Sequence, residues 1–394
     1  MQKRLLFYAL QRQLAHKNAL IITGMRQVGK TTLMRQLYEE VTTPKLWYDL
    51  DNPLDQKIFE PLDYNGIYHY LSSQIEHQDQ RLTIYIDEVQ NLPQITKVIK
   101  YLIDHYEVKF ILTGSSSFYL KNLFPESLSG RKFLYELPPL TFREFLYFKK
   151  ILSLEQANST NLLQNINTVN EIDYTQREVY YEEYLSYGGF PEVVFTPDIP
   201  TKQLVLKNIF SSFFEKDLQL LSDYKDIREL RNLILLLVPR VGSMLDITKI
   251  ASELSVERAK IYSYLEFLQG TFFIRLVPKF SQSIDRSVVG GKKIYFTDTG
   301  VLRSLGSVNA GQLLENAVIN QLDPYGKISF FSQRNTAEID AIIDREVALE
   351  IKLHGTLGDL SKLQKYSHKI GLENSWIISQ TYLSHSHFTS PHFI

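Results

Sequence analysis

The stretch GMRQVGKT at residues 24–31 narrows the available folds more than any other part of the chain. It satisfies G-x-x-x-x-G-K-[ST], follows the apolar run ALIITG (19–24) and opens the helical pattern KTTLMRQLYEE. Gly24 and Gly29 let the backbone wrap a phosphate. Met25, Arg26, Gln27 and Val28 supply the loop amides, and Thr31 and Thr32 begin a helix whose dipole adds attraction. Lys30 is placed to reach β- and γ-phosphates, and the Thr31 hydroxyl to ligate Mg²⁺. ATP and Mg²⁺ are therefore the expected ligands.

A hydrolytic site of this kind also needs a second strand that ends in carboxylates. LTIYIDEVQ provides Asp87 for the Mg²⁺ shell and Glu88 to orient or deprotonate the attacking water. The strand KFILTGSSSF ends in hydroxyls, of which Thr113 or Ser115 could contact the γ-phosphate or its water. SLSGRKF sets Arg131 before a fifth strand, as an arginine finger in cis or from a neighbouring subunit, or else as a surface arginine. The runs at 19–24, 46–50, 82–87, 109–114 and 132–137 alternate with helical stretches. That alternation implies crossover connections and a mostly parallel sheet covered on both faces.

Bulk composition excludes several alternatives. With 43 Lys plus Arg against 44 Asp plus Glu, any basic surface must be local. The absence of cysteine removes disulfides, thiolate metal sites and cysteine nucleophiles. No run approaches eighteen uncharged apolar residues and the N-terminus lacks a cleavage site, so a cytoplasmic, membrane-free protein is expected.

Beyond residue 137 the pattern turns helical. Residues 1–17 also read as an amphipathic helix, 153–173 as an exposed Asn-rich insertion, and YGGFPEVV (187–194) as a helix-ending turn. Residues 226–305 read as three helices and two strands, with Ser255 able to cap the third helix. Twelve Lys/Arg against eight Asp/Glu make this piece locally basic, and Arg275, Lys279, Arg286, Lys292 and Lys293 crowd its ribbon. Such a ribbon suits DNA phosphates, whereas Glu257, Arg258, Lys260 and Ser263 on the third helix offer little sequence readout.

The last chemistry lies in EIDAIIDREVALEIKLHG (338–355). A turn at Asp344–Arg345–Glu346 sets Ile343 opposite Val347, Asp340 opposite Glu350 and Glu338 opposite Lys352. Like charges facing across a ladder call for a cation, and Mg²⁺ between Asp340 and Glu350 would supply one. Lys352 would project beside that site, and Glu315 on the preceding helix could add a third carboxylate. A solvated, chemically inert strand face is the competing reading. The tail with His385, His387 and His392 reads as a disordered end, with zinc binding as the lesser alternative.

The segments LIITGMRQVGKTTLMRQL, IYIDEVQ, FILTGSSSF, LSGRKFLYELPPLTFREF and YGGFPEVV occur in the order found in a family of prokaryotic AAA-type ATPases, which this chain resembles. Glu315, Asp340 and Glu350-x-Lys352 likewise resemble the core of PD-(D/E)XK nucleases. The resemblance implies a multidomain α/β protein. It comprises a P-loop core (1–137) with sheet order 5-1-4-3-2, a helical lid (138–225), a winged helix (226–305) and a restriction-endonuclease-like domain (306–394). The basic ribbon adds mainly non-sequence-specific contact with DNA as an expected partner, and self-association through the ATPase domain is a further expectation. Two functions remain open: an ATPase that drives Mg²⁺-dependent phosphodiester cleavage, and an ATP-dependent switch with an inactive nuclease-like domain.

Overall fold

The computed structural model describes residues 2–76, 80–114, 128, 130–159, 161–166, 170–214, 224–281, 290–333 and 337–394. Ser115 and Arg286 lie outside these. Two compact units result: Met1–Pro138 with Gly270–Phe272, and Pro139–Gln269 with Phe273–Ile394.

The first unit is built on strands β1 (Ala19–Thr23), β2 (Lys45–Asp49), β3 (Thr83–Asp87), β4 (Lys109–Gly114) and β5 (Lys132–Glu136). All neighbours are parallel and the order is 2-3-4-1-5, the expected 5-1-4-3-2 counted from the other edge. Interior strands β1, β3 and β4 are buried along their whole length, as helices on both faces require, whereas edge strand β5 is half-exposed. Ile84, Ile86, Phe110 and Leu112 pack with Ile99 and Leu102 of the helix Ile95–Tyr106 in one core. The expected N-terminal helix is shorter than its apolar pattern, ending at Gln11. The chain then tightens into turns, and the buried Lys109 ammonium takes the carbonyls of Gln13, His16 and Asn18.

The second unit carries a five-stranded mixed sheet in the order β12-β11-β10-β9-β8. An antiparallel ribbon of β6 (Ile274–Pro278) and β7 (Lys292–Phe296) precedes it. The sheet strands are β8 (Ile328–Gln333), β9 (Ala337–Ile343), β10 (Val347–Lys352), β11 (Asn374–Ser379) and β12 (Phe388–Thr389). The ribbon reaches the sheet through the amide of Phe280, which donates to the Phe330 carbonyl at 2.6 Å. The turn after β9 has the expected three residues, with Asp344 and Arg345 left-handed (φ 47° and 66°). Ile343 therefore pairs with Val347.

Three helices precede the ribbon: Tyr224–Leu237, Ile247–Leu254 and Arg258–Gly270. Ser255 does not cap the third. It ends the second in the left-handed region (φ 56°), its amide donating to Ser252. The Asn-rich insertion is exposed over most of its described residues, but Leu162 and Ile166, one helical turn apart, are buried, and Asn165 donates to the Tyr325 hydroxyl.

The Gly188–Gly189 turn has a specific cause. The fully buried Asp298 carboxylate caps the helix Thr299–Leu305 through Val301 and also accepts the Gly189 amide at 2.7 Å. A Cβ at Gly188 would lie 2.2 Å from that carboxylate, and one at Gly189 would lie 2.1 Å from the Leu140 carbonyl. Burial nevertheless pushes the Asp298 carboxyl up to about 6, against the pull of those amides.

The tail is ordered, contrary to expectation. β12 extends the sheet, and His392 is buried between Tyr174 and Tyr181 with Nδ1 against the Ser390 hydroxyl. Burial, and secondarily Arg177, pull the His392 imidazole down to about 3. A base with a depressed folded pKa stabilises the fold fully above its unfolded value of roughly 6.5 and progressively less below it. Urea midpoints should thus fall for the wild type between pH 7 and pH 5. His392→Asn, which cannot be charged, should lose less over the same interval; an equal loss would contradict this assignment.

Candidate nucleotide site and the C-terminal carboxylates

In the first unit the expected loop joins β1 to the helix Lys30–Glu40. Gly24 has φ 148° and no room for a side chain, since a Cβ would meet the Leu137 carbonyl at 2.2 Å. Gly29 has φ 95° and Gln27 64°, so the loop curls in left-handed steps that turn its amides inward. Lys30 is buried, and its Nζ donates to the carbonyls of Gly24 (2.9 Å) and Met25 (2.8 Å). The ammonium is thereby held across the mouth of its own loop. Thr32 faces outward.

Sequence reasoning missed Arg4. Its buried guanidinium donates to the Val28 carbonyl and the Pro138 carbonyl, both at 2.7 Å, and so ties the loop's outer wall to the chain leaving the sheet. No motif marks it; the only sequence signal was an arginine opening an otherwise apolar helix.

Asp87 ends β3 almost fully buried. It accepts from the hydroxyls of Thr113, at the end of β4, and Thr31. Burial raises the Asp87 carboxyl above the usual range, Thr113 and Thr31 pull it back, and Glu88 and Asp49 add repulsion. Thr113 also accepts the Glu88 amide at 3.1 Å, which fixes Glu88 in the left-handed region (φ 54°) with its carboxylate bonded to the Gln90 side chain. Thr31, Asp87, Glu88 and Thr113 therefore converge beside the loop. The Thr31 hydroxyl and Asp87 carboxylate form a hard oxygen pair of the type that holds Mg²⁺ on a nucleotide, so these residues fit the ion.

Arg131 does not join them. Its carbonyl accepts from Ala19 at the start of β1, whereas the loop leaves the other end of that five-residue strand. At roughly 3.3 Å per residue the separation is about 16 Å. Its guanidinium meets Asp104 at 2.5 Å and lines a recess of about 530 Å³ with Lys17, Arg81 and Glu107. A finger acting on its own chain's nucleotide is excluded by strand direction.

In the second unit β9 and β10 pair through Ala341–Leu349 and then part. Asp340 fills the gap, its carboxylate accepting the Ile351 amide at 2.8 Å, while β10 continues along β11. Lys352 bonds Glu350 at 2.7 Å and not the expected Glu338. Lys293 of β7, expected on an exposed ribbon, is buried instead. Its Nζ lies 3.2 Å from Glu315, 2.7 Å from Glu338 and 3.7 Å from Asp340. Tyr295, two residues on and hence on the same face, donates to Glu315 at 2.6 Å. That shared parity of Lys293 and Tyr295 was the overlooked signal.

Burial works against the Lys293 ammonium, but Glu315, Asp340 and Glu338 outweigh it and hold its pKa above the ordinary lysine value. Glu350 is pushed up to about 7 by burial and by Asp340, with Lys352 opposing. Among the described residues no three His, Asp or Glu side chains gather closely enough to hold a metal. Glu315 and Asp340, together with Glu338, instead face the Lys293 ammonium, and Glu350 is held by Lys352. Of the basic ribbon residues, Arg275 pairs with Asp323, leaving Lys279 and Lys292 as the described cations on its surface. Lys260 is likewise engaged, by Asp226 and Glu229.

Comparison with known proteins divides the chain similarly. Residues 16–146 match the family model of an AAA domain. Residues 178–312 match a domain of unknown function, DUF8612. An uncharacterized protein of Methanocaldococcus jannaschii is 27% identical over 333 residues, covering 82% of this chain and 71% of the relative. One of Haemophilus influenzae is 26% identical, covering 82% and 78%. Among solved structures, a Walker-type ATPase of Pyrococcus abyssi aligns at 17% identity and TM-score 0.43, covering 76% of this chain and 94% of that one. The Aeropyrum pernix ORC1 protein in complex with DNA aligns at 14% and 0.31, covering 76% and 90%. Of the sequence-expected nucleotide residues outside the loop, Asp87, Glu88 and Thr113 meet beside Thr31, and Arg131 does not. No described helix is long and apolar enough to cross a membrane.

Removing the Arg4 clamp should loosen the loop without touching the nucleotide. Arg4→Met forfeits two buried charge-assisted bonds, and nucleotide Kd should rise by roughly tenfold, about 1.4 kcal/mol, in a calorimetric titration. An unchanged Kd would refute this role.

Proposed function

We propose that this chain binds and hydrolyses ATP with Mg²⁺, and that its nucleotide state governs what the second unit engages. The observation that carries the reading is the chain of contacts from Thr31 through Asp87 to Thr113 and Glu88, set beside a glycine-curled loop. Loop amides and Lys30 would hold the β- and γ-phosphates, with Lys30 exchanging the carbonyls of Gly24 and Met25 for phosphate oxygens. Thr31 and Asp87 would hold Mg²⁺, which supplies charge neutralisation when bound. The Glu88 carboxylate would receive a proton from the attacking water, and Thr113 keeps Glu88 aimed. The outcome with Lys30→Ala should be loss of nucleotide binding. Glu88→Gln should keep binding while kcat falls by about 10²–10⁴. Full turnover by either variant would overturn the reading.

Arg131 belongs to this proposal as a residue acting on a neighbouring subunit's nucleotide, since strand direction removes it from its own. Arg131→Ala and Lys30→Ala proteins should each be inactive alone and regain ATPase activity when mixed, because each supplies what the other lacks. Absence of complementation, with both variants assembled, would rule this out.

For the second unit two readings were open. Mg²⁺-dependent phosphodiester cleavage requires Glu315, Asp340 and Glu350 to surround a metal, with Lys352 beside it. The Lys293 contacts favour the other: a nuclease-like fold that engages a partner without cutting it. Non-specific DNA contact through a winged-helix ribbon would rest on Lys279 and Lys292. Fluorescence polarisation on a labelled duplex should show weak, salt-sensitive binding and no nicked product.

A further inference from the structure

The second unit contains a group of charges that the ATPase reading does not use, largely buried at Lys293, Glu315, Asp340 and Glu350 and open to solvent at Glu338. Glu315 comes from the helix Ala310–Leu322, Glu338 and Asp340 from β9, and Glu350 and Lys352 from β10. Lys293 arrives from the ribbon, a separate element, with only 4% of its side chain exposed. Its three carboxylate partners come from two different elements, so no local pairing rule explains their convergence. The surroundings are shaped to receive them. Gly242, left-handed at φ 74°, leaves Glu315 room where a Cβ would stand 2.8 Å from Oε2, and its amide donates to Ile294, next to Lys293. Tyr295 orients the same carboxylate. The Phe330 ring lies 5.4 Å from the ammonium.

A buried ammonium surrounded by oxygens at 2.7–3.7 Å does the electrostatic work of a small hard cation. It also blocks one, because a divalent ion there would lie against a like charge. We propose that Lys293 is the resident cation of this cluster, and that the second unit is held together by a lysine where a nuclease-like fold would use a divalent metal. Glu315 and Asp340 are then structural counterions that fasten the ribbon to the carboxylate helix and to β9. Since breaking a buried ion pair leaves charges uncompensated, Lys293 must contribute strongly to the integrity of the unit. The inference concerns the second unit alone and does not depend on nucleotide hydrolysis in the first.

The test uses the full chain without nucleotide and follows Mn²⁺ by electron paramagnetic resonance alongside thermal melting. Wild-type protein should take up no Mn²⁺ at this cluster, and its melting temperature should not rise with Mn²⁺. Lys293→Met should melt on the order of 5–10 °C lower. It should then bind Mn²⁺, recover part of that loss with the ion, and lose the uptake when Asp340→Asn is added. Wild-type uptake of Mn²⁺ that disappears in Asp340→Asn would overturn the proposal, as would a Lys293→Met protein that melts like wild type. Should Lys293→Met fail to fold, the wild-type titration with and without Asp340→Asn decides the question by itself.

Discussion

A carboxylate removed from water at the end of β3 sets the terms for the first unit. Asp87 is tolerable there only because two hydroxyls, from the helix after the loop and from the end of β4, point at it. Those two bonds require three elements to end at the same height, which a parallel sheet with β4 between β3 and β1 provides. The loop glycines, the aim of Glu88 and the Lys30 bonds all follow once that height is fixed. Electrostatics thus imposes on the sheet a registration that hydrophobic burial alone would leave free by a residue.

The second unit solves a similar problem with more charges and no glycine loop. Its acids are spread over a helix and two strands, and the cation that reconciles them comes from the ribbon. A polar group buried this deeply specifies which strand lies beside which helix, because exchanging neighbours would strand several charges at once. The ribbon is therefore as much a part of this unit's interior as the sheet is.

How much of this could be read from residues alone depended on whether contacts were local. The loop, both terminal carboxylates and the three-residue hairpin turn were legible, since each is written within about ten consecutive residues, whereas the strand order came from the family resemblance. Arg4 and Lys293 were not. Both act on partners more than twenty residues away, and a lone basic residue in a strand or helix is usually a solvated one. Arg131 was correctly noticed as arginine before a strand, but direction along that strand, which decides what it can reach, needed the register of β5 on β1. The tail misled for a different reason: its histidines are polar by composition, yet a neutral imidazole packs against tyrosines as an aromatic ring.

The Gly188–Gly189 turn has a consequence in time as well as in space. Its amide acceptor, Asp298, lies 109 residues further along the chain, and Arg143 is bound by a carbonyl 250 residues away, at Phe393. During synthesis the segments on either side of the turn emerge long before these partners do. Until then the turn's amide has only water to bond, and the Arg143 guanidinium only the nearby Gln156 carbonyl. Closing such long loops is slow in entropy terms. The contacts of Gly189 and Arg143 therefore belong among the late steps in folding the second unit, since each joins segments more than a hundred residues apart.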